Sequence, residues 1–199
     1  MGNDVSWVAI LGAITGVLGT LGWIVNYIVI FVSKPKLYFE KGPYIKNWLF
    51  VGTPAQRQFV NFEVGVKNKK TALRCVATAS VIKSPENIVH LEHLYNIHWA
   101  DVPYSGLSTG AEPVDIGGES HRLDIVFTIP QYPGAYIAMP LALSAQAPQA
   151  YLPPGEYIFK VAVICSNGKG INKTIKIVSP NNWDGLQTEE VKTAKNKKH

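Results

Sequence analysis

The sequence predicts a mainly β fold, a sandwich of about seven strands preceded by one N-terminal transmembrane helix. Three observations lead there. An uncharged stretch runs from Val5 to Val32. Beyond Pro35 the apolar residues recur with a period of two, the mark of half-buried strands. Gly, Pro and Asn punctuate the periodic segments. At 199 residues the chain has room for one ordinary domain and an anchor, and not for two full-sized domains. The apolar fraction of 47% and charged fraction of 17% are odd for a wholly soluble protein. They become ordinary once the uncharged stretch is set aside as membrane-spanning.

The first element is that helix, expected over 5–33. At about 1.5 Å per residue it would be roughly 40 Å long, enough to cross a hydrocarbon core of about 30 Å with some tilt. Pro35 stops it. The leader Met-Gly-Asn-Asp lacks the basic start of a cleavable signal peptide. Asp4 flanks one end and Lys34 and Lys36 the other, a bias that expects the following domain on the cytoplasmic face of the cell membrane. Within the helix Gly12 and Gly16 form a GxxxG pair, and Gly12, Gly19 and Asn26 recur seven apart on one side. Small residues let two backbones approach, and the Asn26 amide hydrogen-bonds across such a contact. The expected partners are the lipid bilayer and a membrane protein or a second copy of the chain.

The strands follow. Val60, Phe62, Val64 and Val66 alternate with Asn61, Glu63 and Lys67. After a turn at Asn68-Lys69-Lys70-Thr71, Leu73, Cys75, Ala77, Ala79 and Val81 turn inward, which predicts a hairpin with the preceding strand. Leu123, Ile125, Phe127 and Ile129 alternate with Arg122, Asp124 and Thr128. Pro153-Pro154-Gly155 marks the entry to a last pair. There Tyr157, Phe159, Val161, Val163 and Cys165 make one inward face, Asn167-Gly168 supplies the positive-φ residues of a tight turn, and Ile171, Ile175 and Ile177 return. Weaker strands lie near Leu37 to Glu40 and Tyr136 to Leu143, and Pro85 to Asp101 reads as a short helix or a ragged edge strand. The count points to an immunoglobulin-like β-sandwich over 36–180, with a polar, lysine-rich tail over 181–199.

The run Val64-Gly65-Val66-Lys67-Asn68 followed by Ala72 and Cys75, with Leu152-Pro153-Pro154-Gly155-Glu156-Tyr157, resembles uncharacterised prokaryotic single-pass membrane proteins that carry an immunoglobulin-like domain. These are fold-forming residues. The resemblance implies architecture and carries no active site.

The formal charge of +5 gathers just after the uncharged stretch and in the last residues, and neither cluster is a nucleic-acid footprint. No phosphate-loop or dinucleotide glycine pattern, nucleophile elbow or triad context occurs, so no cofactor, catalytic residue or small-molecule substrate is assigned. His90, His93 and His98, with Glu92 and Asp101 among them, are the sharpest local oddity, since imidazole and carboxylate are zinc ligands. Their spacing suits neither one helical face nor one strand face, and structural histidines are the favoured reading over a metal site. Only two cysteines occur, Cys75 and Cys165, both expected to face the core. In an extracytoplasmic domain they would form an inter-sheet bridge closing about 90 residues, which stabilises by about 4 to 5 kcal/mol on the chain-entropy model. In the cytoplasm they would be buried thiols. Tyr44, Trp48, Tyr132, Tyr136 and Tyr151, in loops, are candidates for a recognition surface.

The expected function is a membrane-anchored, non-enzymatic interaction or scaffold module, an accessory subunit of a membrane complex. The alternatives are a metal-binding protein or metal-dependent enzyme using His90, His93 and His98, and an extracytoplasmic cell-envelope adhesion domain.

Overall fold

The computed structural model describes residues 19–25, 34–49, 56–85, 88, 94–102, 112–139 and 150–191. The chain divides into two units, Met1–Lys34 and Pro35–His199. In the first, the described residues form one helix over 19–25, seven residues long. That is about 10 Å of rise, a third of what a hydrocarbon core of about 30 Å demands. No helix among the described residues is long and apolar enough to cross a membrane. The transmembrane helix expected over 5–33 is therefore not supported.

In the second unit two antiparallel sheets share the core. One orders β1 (Leu37–Leu49), β2 (Gln56–Val66), β6 (His121–Phe127), β7 (Ala135–Ile137) and β8 (Tyr151–Leu152) as β1-β2-β6-β7-β8. The other holds β11 (Gln187–Glu190), β10 (Ile171–Ser179), β9 (Gly155–Ile164), β3 (Ala72–Lys83) and β4 (Leu94–Asn96) in the order β11-β10-β9-β3-β4, with β5 (Val114–Ile116) paired to β3. The fold is thus β-sandwich-like, with eleven strands among the described residues rather than about seven. Val60, Phe62 and Val64 of β2 are buried, as are Tyr157, Phe159, Val161 and Val163 of β9 and Ile175 and Ile177 of β10. Period-two spacing put these on one face because successive side chains of a strand alternate.

β9 and β10 pair as the expected hairpin, with Phe159 opposite Ile175 and Tyr157 opposite Ile177. Among the described residues the glycines with positive φ are Gly42, Gly134 and Gly155, however, and not Gly168 of the turn. Gly168 is needed for space: a Cβ there would stand 2.8 Å from the Pro35 carbonyl oxygen. The hairpin expected between β2 and β3 is absent. β2 lies between β1 and β6, and β3 between β9 and β4, so the turn after Val66 carries the chain from one sheet to the other. Alternation tells which residues share a face, not which strand lies alongside. In β3 a bulge at Arg74, φ +51°, turns both Ala72 and Cys75 to the core and leaves Leu73 outside.

Residues 94–102 hold an edge strand and a crossing. β4 pairs with β3, then the His98 N–H donates to the Ala138 carbonyl and the Ala100 N–H to that of Arg122, so Trp99 bridges Leu123 in the other sheet. The stretch expected as a polar tail, 181–199, contains β11, and the buried Leu186 before it donates its N–H to the Gln58 side-chain oxygen at 3.1 Å.

Candidate functional site

The first sheet carries an aromatic row on the face that alternation turns away from Val60, Phe62 and Val64, and the inner end of that row is itself buried. Because Val60, Phe62 and Val64 point inward, Phe59, Asn61 and Glu63 point outward, and register sets Phe127, Asp124 and Arg122 of β6 beside them. Phe127 in turn pairs with Tyr136 of β7, and Tyr136 with Tyr151 of β8. The rings follow one another at centroid separations of 5.6 Å for Phe59 and Phe127, 5.6 Å for Phe127 and Tyr136, and 5.3 Å for Tyr136 and Tyr151. Cross-strand aromatic pairs at these distances are mutually stabilising. The row grades outward: Phe59 and Phe127 are buried, Tyr136 and Tyr151 half-buried, and Tyr132 is 59% exposed.

The turn that brings Tyr132 to this end is tightly built. The Tyr151 hydroxyl donates to the Pro133 carbonyl at 3.3 Å. Gly134 has φ +85°, and a Cβ on it would stand 2.6 Å from both the Tyr151 ring and the Leu152 carbonyl. Burial, with Tyr151 and Tyr132 nearby, raises the Tyr136 phenol above its ordinary value, so the Tyr136 hydroxyl stays a neutral donor and acceptor.

Further along the same face lies a polar network. Tyr44 of β1 donates to Glu63 at 3.1 Å, and Lys41 pairs with Glu63 at 2.9 Å. Burial and then the Glu63 charge push the Tyr44 phenol up to about 12. The hydrogen bond from Lys41 holds the Glu63 carboxyl below its ordinary value. Beside them the Asn61 amide donates to buried Asp124, and Arg122 Nε lies 3.4 Å from the same carboxylate. The Arg122 guanidinium rests over the Trp48 ring at 4.1 Å, and the Lys46 ammonium at 4.7 Å. Tyr44 and Trp48 thus sit on a strand, not in loops.

Of the histidines, His90 and His93 lie outside the described residues. His98 is buried where the chain crosses between sheets, its Nδ1 3.8 Å from the Asp124 carboxylate. Among the described residues no three His, Cys, Asp or Glu side chains converge as metal ligands. Of the helix seam, Gly12, Gly16 and Asn26 also lie outside the described residues, and Gly19 has open space where a Cβ would be. Cys75 on β3 and Cys165 just past the end of β9 come together at one end of the same sheet, so a bridge between them would not be the inter-sheet link expected. An open cleft of about 420 Å³ lined by Glu40, Gly117, Gly118, Glu119 and Ser120 offers little apolar surface to enclose a small molecule.

Sequence reasoning missed the buried Asn61 and Asp124, which alternation assigned to a solvated face. The one signal for Asp124 was its place inside the apolar run Leu123 to Phe127. A scan of protein-family models finds no match for this chain, and a search of curated proteins finds no relative.

Proposed function

We propose that the β domain is a non-enzymatic binding module of immunoglobulin-like type, which engages a protein ligand through the tyrosine end of its aromatic row. The strand order supports the architecture. In such a sandwich the first, second and fifth main strands share one sheet and the third, sixth and seventh the other. Here β1, β2 and β6 take the first set of places, and β3, β9 and β10 the second. Tyr157, at the start of β9, donates to the Pro153 carbonyl four residues upstream at 2.8 Å, the corner contact found in that fold.

The observation that carries the binding reading is the gradient of the row itself. Phe59 and Phe127 fix Tyr136 and Tyr151 from behind, so Tyr132, Tyr136 and Tyr151 form an amphipathic patch with little conformational entropy left to lose. Tyrosine is enriched at protein contact sites for that reason, combining apolar area with a hydroxyl that still bonds.

A photo-crosslinking side chain at position 132 of the full chain in its native cells, with position 69 as control, tests the reading. A discrete protein adduct is expected at 132 only, and Tyr151→Ala should diminish it. Identical adduct patterns at the two positions would sink the proposal.

A further inference from the structure

We infer that Cys75 and Cys165 form a thiol–disulfide exchange site, at which Cys165 takes up a small disulfide of the glutathione type and Cys75 resolves it into a cross-strand bridge. The inference is independent of the aromatic face. β3 and β9 pair with Ala77 opposite Val163 and Val76 opposite Ile164, the last pair of that ladder, and Cys75 and Cys165 are the next residue along each chain, so continuing the ladder by one step sets them opposite each other. Directly opposed residues of antiparallel strands have Cα atoms about 4.5 to 5.5 Å apart. A disulfide spans about 4.4 to 6.8 Å, so the bond closes with no change of register. Both thiols stand on the core face, in line with buried Ala77 and Val163. The Cys75 thiol donates to the Ala72 carbonyl at 3.4 Å, and the Cys165 thiol is its neighbour across the strands.

The pair is also held from beyond the ladder. The Ser166 N–H and hydroxyl both donate to the Leu73 carbonyl, at 2.9 and 3.0 Å. The Leu73 N–H donates to the Asn167 side-chain oxygen at 2.8 Å, and the Asn167 amide donates to the Thr71 carbonyl at 3.0 Å. These contacts lock the end of β3 to the β9–β10 turn and fix the two sulfurs against each other.

Their environments differ, which sets the order of events. Cys75 is fully buried, and burial, then Cys165, pushes its thiol up to about 12, so it is a poor first nucleophile. Cys165 is partly exposed beside Gly168, where a Cβ would lie 2.9 Å from its sulfur. The Cys165 thiolate attacks one sulfur of the small disulfide, forming a mixed disulfide and releasing one thiolate, which takes up a proton. Cys75 then gives its proton to solvent and its thiolate attacks the Cys165 sulfur, expelling the second thiolate, which takes up a proton. The protein pair is oxidised by two electrons and the small disulfide is reduced to two thiols.

The test incubates the purified full chain with oxidised glutathione at mildly alkaline pH, quenches in acid, alkylates under denaturing conditions and measures intact mass. The wild type should lose both alkylatable thiols without retaining glutathione, remain monomeric, and yield one linked peptide pair containing Cys75 and Cys165. Cys75→Ser should accumulate the mixed disulfide at Cys165, while Cys165→Ser should react at least about tenfold more slowly. Time-resolved masses of the wild type supply the same ordering, through a transient glutathione adduct on the Cys165 peptide, should either variant fail to fold. Two persistently alkylatable thiols, a first adduct on Cys75, or intermolecular dimers as the sole product would overturn the inference.

Discussion

Asn61 and Asp124 face each other across β2 and β6, the amide donating to the carboxylate, both residues buried. Arg122 Nε at 3.4 Å and His98 Nδ1 at 3.8 Å are the carboxylate's other neighbours. Removing one member of a buried pair leaves the other desolvated and unpaired, which costs more than the pair itself contributes. Asp124→Ala should therefore destabilise the domain by about 3 kcal/mol and Asn61→Ala by about 2 kcal/mol, read by urea unfolding. The double variant should cost about 1 to 2 kcal/mol less than the sum. Strict additivity would show that the contact contributes nothing.

Tyr157 gives a second stability prediction, with a pH signature. Its ring is buried and its hydroxyl bonded to the Pro153 carbonyl, so Tyr157→Phe should cost about 1 to 2 kcal/mol at neutral pH. Burial pushes the phenol from 10.0 up to about 12, so above pH 10 the unfolded chain sheds a proton that the folded one keeps. Stability is full below pH 10 and falls as the pH rises through about 12, with a slope approaching about 1.4 kcal/mol per unit from this group. Urea midpoints measured from neutral pH to pH 11 should converge for wild type and Tyr157→Phe. Parallel curves would refute the assignment of this slope to Tyr157.

These two sites mark where the sequence was legible and where it was not. The inward faces of β2, β9 and β10 followed from alternation alone, since each strand meets the core on one side. The neighbours of β2 and β3 did not, because pairing is decided by packing between distant segments and both strands present the same apolar pattern. Asn61 and Asp124 read as exposed polar residues for a related reason: each is tolerated inside only because the other is there. Arg74 concealed a bulge, and with it the exposure of Leu73, because nothing in its side chain demands positive φ. The tyrosines of the recognition patch were visible as residue types, but their convergence depends on the register of β6, β7 and β8.

Lys173 ties the two sheets at their edge. Its ammonium pairs with Glu190 of β11 at 2.8 Å, lies 5.8 Å from the Phe39 ring and 5.7 Å from the Phe62 ring, and donates to the Gly42 carbonyl of β1 at 3.4 Å. Lys173→Met keeps the stem and removes the charge, and should cost about 1 kcal/mol, since an ion pair open to solvent on one side contributes little and cation–π contact adds a similar amount. The difference from wild type should shrink in high salt, as measured by thermal midpoints. A difference indifferent to salt would place the effect in packing instead.

Stability and recognition separate along the aromatic row. Tyr132 is mostly exposed, so Tyr132→Ala should change stability by less than about 0.5 kcal/mol while abolishing the adduct captured from a crosslinker at position 151. Tyr136 is half-buried against Phe127 and Tyr151, and Tyr136→Ala should cost about 2 to 3 kcal/mol as well as weakening that adduct. Gly134→Ala acts on the same patch without touching a tyrosine. The added Cβ meets the Tyr151 ring and the Leu152 carbonyl at φ +85°, which should cost about 1 to 3 kcal/mol and displace Tyr151. If the patch binds a ligand, Tyr132→Ala must lose the adduct with its urea midpoint intact. Loss of adduct only in proportion to lost stability, across all three variants, would make the row a structural feature and nothing more.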